Sequence, residues 1–481
     1  METKIIIPLI CYLLLVCILS IYTYHRHQKS EFLYEHFLCN RSIGRVIFAM
    51  TITSTYISAS SFIGGPGAAY KYGLSWVLFS LIQVPTIWLS LGVLGKKIAI
   101  LARHYHAITL NDILYARFKS RLLVFIASIS LLVAFFGSIT VQFISGARLL
   151  EIIANIPYEI GLLVFSICIT FYTAFGGFRA NVINDTLQGF VILLGTIILL
   201  VATIYKVGGL DTATETLKTI DPKLITPQGP DNDIFNVPFM FSFWILVCFG
   251  VIGLPHTAVR CIAYKNSQAM HNGIIIGTIM MVILMLGMHL SGTLGRVILP
   301  NLIIPDQIIP ILMIKVLPPF VAGIFLAATM VAIMSTINSL LLQSSATIIK
   351  DLYLNIIMQN KIKEEKKTTL ILVSSTIILS ILLLITGLNP PKMIIWLNLL
   401  IFGGLQAVFI WPLILGLYWK RANYFGALSS MIFGSISYIL FMSFNLKILN
   451  FHYIVPSLLF SFIAFLAGNF IGEKKFVFIK N

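Results

Sequence analysis

The stretch Thr51 to Tyr72, TITSTYISASSFIGGPGAAYKY, decides how the rest of the chain reads. It continues an apolar run that starts at Val46, passes into small hydroxyl residues and ends on Gly64-Gly65-Pro66-Gly67. Proline removes an amide donor and glycine weakens a helix. The pattern therefore predicts a membrane helix interrupted at Gly64 to Gly67, with backbone carbonyls near mid-membrane left without helical partners. In hydrocarbon such groups are tolerated only where they are buried in protein or line a cavity, and a bare cation is one partner they can take. The same glycines would also let a neighbouring helix approach closely. On this stretch alone both readings stand.

Working outward, the 481 residues are 58% hydrophobic and only 10% charged, with a mean hydropathy of +0.96. That balance excludes a soluble globular protein and predicts an all-α polytopic membrane protein whose first partner is lipid. Apolar segments long enough to span fall near 5–23, 46–70, 74–95, 122–147, 159–177 and 186–205, and then near 237–260, 272–295, 319–349, 368–388, 393–419, 424–445 and 450–472. That makes about thirteen transmembrane helices in one transmembrane domain over 1–481. The expected parts are a first helix and loop (1–45), two halves (46–206 and 237–419) around an external loop (207–236), and two last helices with a tail (420–481). Lys4 precedes the first apolar run and no small-residue cleavage site follows it, so the first span is expected to stay uncleaved.

A net charge of +16 would suggest nucleic acid for a soluble chain. Here it bears on orientation instead, and no nucleic-acid partner is expected. Alternate loops carry more than two thirds of the 33 basic residues: Arg26 to Arg45, Lys96 to Arg121, Arg179, Arg260 with Lys265, Lys350 to Lys367, Lys420 with Arg421, and the tail. The positive-inside rule puts these loops in the cytoplasm, with the N-terminus outside and the C-terminus inside. Six scattered cysteines read as small packing residues.

A second interruption appears at Gly250, Gly253 and Pro255, in WILVCFGVIGLPHTAVR, five spans after the first. Paired interruptions in corresponding positions of two halves point to an inverted-repeat secondary transporter. In the ninth span, Ala332, Ser335 and Thr336 lie three and four residues apart, so one backbone oxygen and two hydroxyls share a helix face. With carbonyls freed near Ser54 and Ile57 they would give about five neutral oxygens, a set suited to a monovalent hard cation. The alternative is that the hydroxyls bond back to carbonyls one turn earlier. Asp185 is the main acidic candidate near the membrane and is read as functional, as a helix cap or as a partner for Arg179. His256 follows the second break and is read as facing the cavity or as a buried core histidine; the other eight histidines are read as lying mostly in loops. No nucleophile elbow, paired carboxylates or phosphate loop points to an enzyme.

Several segments carry a resemblance: residues 51–72, GARLLE at Gly146 to Glu151, FGGFRANVINDTLQG at Phe175 to Gly189, GLPH at Gly253 to His256, AIMST at Ala332 to Thr336, and GLYWKRANYFGAL at Gly416 to Leu428. By these the chain resembles the sodium/solute symporter family over essentially its whole length. The text of 51–72 and of MIIWLNLLIFGGLQAVFIWPLILGLYW, 393–419, is similar to members that carry pantothenate. The resemblance implies thirteen helices, inverted five-helix repeats made by helices 2 to 6 and 7 to 11, alternating access in a bacterial cytoplasmic membrane, and sodium as the coupling ion with no other cofactor. It implies sodium ligands at Ser54, Ile57, Ala332, Ser335 and Thr336, and Asp185 on the inward ion path. Proline carriers of the family have an aspartate where this chain has Tyr56, so a charged ligand is missing at that point. Sugar carriers have a gating tyrosine where His256 aligns and polar sugar contacts near Ser61 and Gln83. For a small carboxylate with hydroxyls and an amide, the candidate polar partners are Ser58, Ser61, Gln83, His256 and Asn398. The alternatives are a symporter of the same family for another small carboxylate or an amino acid such as proline, and a membrane sensor built on a transporter fold.

Overall fold

The computed structural model describes residues 3–26, 44–56, 58–255, 257, 261–262, 264–357, 365–391 and 393–472; side chains at 3, 13, 16–17, 19–26, 54–56, 172, 174–185, 354–357 and 365–373 are also outside the described set. The chain is built from helices, and eight of those described are long and apolar enough to cross a membrane. In order they are α1 (Thr3–Arg26), α2 (Arg45–Tyr56), α3 (Gly65–Tyr72), α4 (Leu74–Leu81), α5 (Thr86–Ser90), α6 (Lys96–His104), α7 (Leu110–Phe118), α8 (Arg121–Ala154), α9 (Tyr158–Val207) and α10 (Leu210–Ile220). They continue as α11 (Val237–Trp244), α12 (Ser267–Ile298), α13 (Ile308–Val316), α14 (Pro319–Ala346), α15 (Glu365–Gly387), α16 (Ile394–Tyr418), α17 (Tyr424–Ser443) and α18 (Ile454–Ile471).

The first interruption is real but lies upstream of where the glycines suggest. α2 stops at Tyr56, Ser58 is non-helical, and a π turn over Ser60–Gly64 leads directly into α3. Pro66 sits in the first turn of α3, where its missing N–H costs nothing. Gly65 and Gly67 serve close approach: a Cβ on Gly65 would stand 2.3 Å from His289 Nε2, and one on Gly67 would stand 2.8 Å from Asp306 Oδ1. The second interruption falls where the sequence puts it. α11 runs into a π turn at Ile245–Phe249 and a 3-10 turn at Gly250–Gly253, and Leu254 is extended.

Three further departures concern boundaries. The third span is divided by a turn at 82–85 and a π segment at Leu91–Gly95 before α6. Where two spans at 159–177 and 186–205 are expected, helical backbone is assigned without a stop from Tyr158 to Val207; no proline stands between them to end it. The ninth span continues past Ala346 as a π segment over Thr347–Ile357. The loop at 104–121, read only as basic, contains α7, which opens on a capping box between Thr109 and Asp112.

Buried polar links fix both ends of the bundle. At the end carrying residues 207–236, Arg148 of α8 pairs with Asp306 at 2.7 Å, and the same carboxylate oxygen accepts from the N–H of Ile394 at the start of α16 at 3.0 Å. Burial pushes this carboxyl up to about 7, against the opposing pull of Arg148. At the basic end, Arg117 of α7 donates to the carbonyl of Gly416, in the last turn of α16, and to those of Trp419 and Ala422 just beyond it. Thr109 and Asn111 both donate to the buried Asp351, at 2.8 Å each, and tie α7 to the continuation of α14.

Candidate functional site

The break after Tyr56 opens onto a cavity with about 1080 Å³ of empty volume including its mouth. Its polar lining comes from Ser58, Ser60 and Ser61 on the broken helix, Ser80 on α4, Gln83 at the turn before α5 and Thr86 at its start, Ser138 and Gln142 on α8, His289 on α12, Ser335, Thr336 and Ser339 on α14, and Asn398 on α16. None of the described lining residues is Asp, Glu, Lys or Arg. Whatever binds here meets neutral oxygens, amides and an imidazole.

How the chain holds a broken helix open can be read from its hydrogen bonds. An unbroken helix would direct the N–H of Ala59 to the carbonyl of Thr55; here it goes to Gln142 Oε1 at 3.0 Å. The carbonyl of Ser58 takes two amides instead, from Ser61 at 2.9 Å and Phe62 at 3.2 Å. The Ser58 and Ser60 hydroxyls meet at 2.8 Å, and Asn398 Nδ2 donates to Ser60 Oγ at 3.2 Å. The Gln142 side chain of α8 thus takes over a donor that the helix itself gives up, and Asn398 of α16 holds the Ser60 hydroxyl. Buried backbone polar groups require this, because an unpaired one costs about 1–3 kcal/mol.

On the facing helix, Ala332 and Ser335 are buried, and Thr336 Oγ1 donates to the Ala332 carbonyl at 3.2 Å. The back-bonded arrangement expected as the alternative is therefore present at Thr336. It also brings two of the expected ligands side by side: Thr336 Oγ1 keeps lone pairs for an ion, whereas the Ala332 carbonyl, inside the helix, already accepts from this hydroxyl and from the helical N–H of Thr336. Ser335 and Thr336 line the same cavity as Ser58, Ser60 and Ser61. α14 packs against α2, so the two half-sets sit on adjoining helices.

Of the sequence-derived candidates, Ser58, Ser61, Gln83, Ser335, Thr336 and Asn398 meet at this cavity. Ala332 is buried one turn before Thr336. Ser54 is in α2 and Asp185 is in α9 by backbone, but both side chains lie outside the described residues, as do Ile57 and His256 entirely. The sequence reading missed Ser60, Ser80, Thr86, Ser138, Gln142, Ser339 and His289. For His289 a signal existed: it stands in MLGMHLSGTLGR, inside an apolar span and not in a loop, and it is 2% exposed.

The cavity is unequal at its two ends. Toward residues 207–236 it is capped by Trp76, Phe243, Ile395 and Leu399. Trp76 packs at 5.7 Å centroid distance on each of Tyr72, Phe243 and Trp396. Toward the basic end, Ser339 is shared with a second cavity of about 510 Å³, lined by Thr109, Asn111, Pro255, Gln343 and Asp351 among others.

The model of the sodium:solute symporter family matches residues 36–434. Over 474 residues the chain is 62% identical to the sodium/pantothenate symporter of Escherichia coli (strain K12), covering 98% of both chains. It is 56% identical over 475 residues to the protein of that name from Haemophilus influenzae, covering 99% of this chain and 98% of the other. Among solved structures, a Na+-coupled sialic acid symporter in a substrate-bound outward-open state superposes with a TM-score of 0.82, at 17% identity and 98% coverage of both chains. The fold is thus that of a known transporter, and by sequence the chain belongs to the sodium:solute symporter family.

Proposed function

We propose that this protein couples the entry of sodium to the uptake of pantothenate across a bacterial cytoplasmic membrane by alternating access. The relatives at 62% and 56% identity, matched end to end, support the substrate class. The observation that carries the mechanism is the break after Tyr56, where Gln142 takes the Ala59 amide and the opened strand shares a cavity with Ser335 and Thr336.

In this reading thirteen helices span, with helices 2–6 and 7–11 as inverted repeats, the N-terminus outside and the C-terminus in the cytoplasm. The halves are 46–206 and 237–419, and 420–481 is peripheral to them. Sodium is held by the backbone oxygens of Ser54, Ile57 and Ala332 and by the hydroxyls of Ser335 and Thr336. Asp185 lies on its inward path. Pantothenate occupies the cavity against Ser58, Ser61, Gln83 and Asn398, with His256 below the second break. Because the described lining holds no basic side chain, the substrate carboxylate is met by polar side chains and the positive ends of half-helices.

Sodium ties the broken helix to α14 and so favours one global state. Coupling is its differential affinity for the two states. The aromatic cap over the cavity and the second cavity beyond Ser339 fit a conformer closed outward and leading toward the cytoplasm. Competition decides the substrate. Unlabelled pantothenate should abolish uptake of radiolabelled pantothenate by vesicles containing the protein, while proline at the same concentration leaves it unchanged. Uptake of radiolabelled proline, unaffected by pantothenate, by vesicles that take up no radiolabelled pantothenate would favour an amino-acid carrier of the same family.

A further inference from the structure

We infer that His289, which has no role in the reading above, is a specificity-determining residue of the central cavity: its Nε2 accepts a hydrogen bond from a neutral donor on the substrate, a hydroxyl or an amide N–H. The inference deepens the pantothenate reading and rests on it.

The argument starts from the other ring nitrogen. Nδ1 lies 2.7 Å from the carbonyl oxygen of Met285, one turn back on α12. A carbonyl can only accept, so Nδ1 carries the proton, and in a neutral imidazole Nε2 is then a bare acceptor. No carboxylate among the described lining residues is present to hold an imidazolium, and an unpaired buried charge is far costlier than a neutral ring. The tautomer is therefore fixed by α12 itself.

Nε2 is aimed at the broken helix. It occupies the space where a side chain on Gly65 would begin, 2.3 Å from an ideal Cβ there, and His289 lines the cavity together with Ser60 and Ser61. Gly65 is the gap that admits the ring. Most other polar lining groups, the serines, Thr86 and the amides, can donate as well as accept. A bare imidazole nitrogen only accepts, so it discriminates among solutes of similar size by whether they present a donor at that point. Pantothenate presents two hydroxyls and one amide N–H.

The test uses purified full-length protein in proteoliposomes, with pantothenate and three analogues that each lack one donor: either hydroxyl replaced by hydrogen, or the amide N-methylated. His289→Asn keeps a donor for Met285 and deletes Nε2; His289→Gln restores an acceptor oxygen near its position. His289→Asn should raise the KM for pantothenate roughly tenfold, and His289→Gln by less than about threefold. The sodium half-saturation at saturating pantothenate should stay within about twofold in both, since one hydrogen bond to the substrate is changed. One analogue should already be weakened in the wild-type protein and lose nothing more in His289→Asn, while the other two suffer the full penalty of the substitution. An unchanged KM in His289→Asn, or penalties that multiply for all three analogues, overturns the assignment. So does a wild-type protein indifferent to all three analogues, a result that requires no variant to fold. A wild-type protein that takes up no pantothenate refutes the substrate reading instead, and the His289 series is then read on the solute it does accumulate.

Discussion

Gly65→Ala tests the packing that positions the cavity. A Cβ at residue 65 would stand 2.3 Å from His289 Nε2, 3.1 Å from its Cε1 and 3.1 Å from the carbonyl of Ser60. The ring cannot swing aside freely, because Nδ1 is bonded to Met285 at 2.7 Å and the side chain is 2% exposed. Either α12 moves away from α3 or the π turn at Ser60–Gly64 deforms. Overpacking of this kind costs about 1–3 kcal/mol, and one tenfold change in an equilibrium constant corresponds to about 1.4 kcal/mol. Gly92→Ala is the matched control. Nothing lies within 4 Å of a Cβ there, so the substitution should be neutral or stabilising by roughly 0.5–1 kcal/mol. The assay is thermal melting of purified protein in detergent, followed by initial uptake rates in proteoliposomes at equal folded protein. Gly65→Ala should melt lower and raise the KM for pantothenate about tenfold or more, with Gly92→Ala at or above wild type in both. A Gly65→Ala protein with wild-type melting and KM would refute the claim that the glycine is there to admit the ring.

Ser335→Ala and Thr336→Ala should each raise the sodium concentration for half-maximal uptake by about five- to thirtyfold, the equivalent of about 1–2 kcal/mol for one lost ligand. The order of competing solutes should stay the same; an unaltered sodium dependence removes these hydroxyls from the ion site. One sodium with one monovalent carboxylate moves no net charge, so an imposed inside-negative potential, worth about 2.3 kcal/mol per charge per 100 mV, should leave accumulation unchanged. Strong acceleration by the potential means that more than one sodium accompanies each substrate. For Asp306, whose carboxyl is pushed up to about 7 by burial, the folded chain keeps a proton that an unfolded aspartate releases near pH ~4. The stability this group contributes is present at acid pH and is lost as the pH rises to about 7. The gap in melting temperature between wild type and Asp306→Asn should therefore narrow from pH 5 to 7 and then level off. A gap that widens over that range contradicts the burial argument.

The sequence carries the class and the family more fully than the site. Hydropathy and the alternation of basic loops require only local counting, and the second interruption is legible because Gly250, Gly253 and Pro255 coincide with it. The first is displaced, and the reason is tertiary. The glycines at 64–67 answer to His289 and Asp306, more than two hundred residues away, whereas the actual break at Ser58 is held open by Gln142 and Asn398 from other helices. Propensity cannot separate these uses of glycine, since both put it in the same membrane segment. Spacing on α14 did place Ser335 and Thr336 together, because one helix face is a local property. Ser60 and Gln142 reach the cavity only through packing between helices and have no local signature of their own, whereas His289 is marked only by standing inside an apolar span.

The most direct measurement of the central claim is pantothenate uptake by proteoliposomes containing only this protein, with an inward sodium gradient and with sodium equal on both sides or replaced by choline. Accumulation above the external concentration should occur with the gradient, collapse when it is dissipated, and be absent in choline. Equal accumulation in sodium-free vesicles would contradict the coupling of the ion at α2 and α14 to the solute in the adjoining cavity.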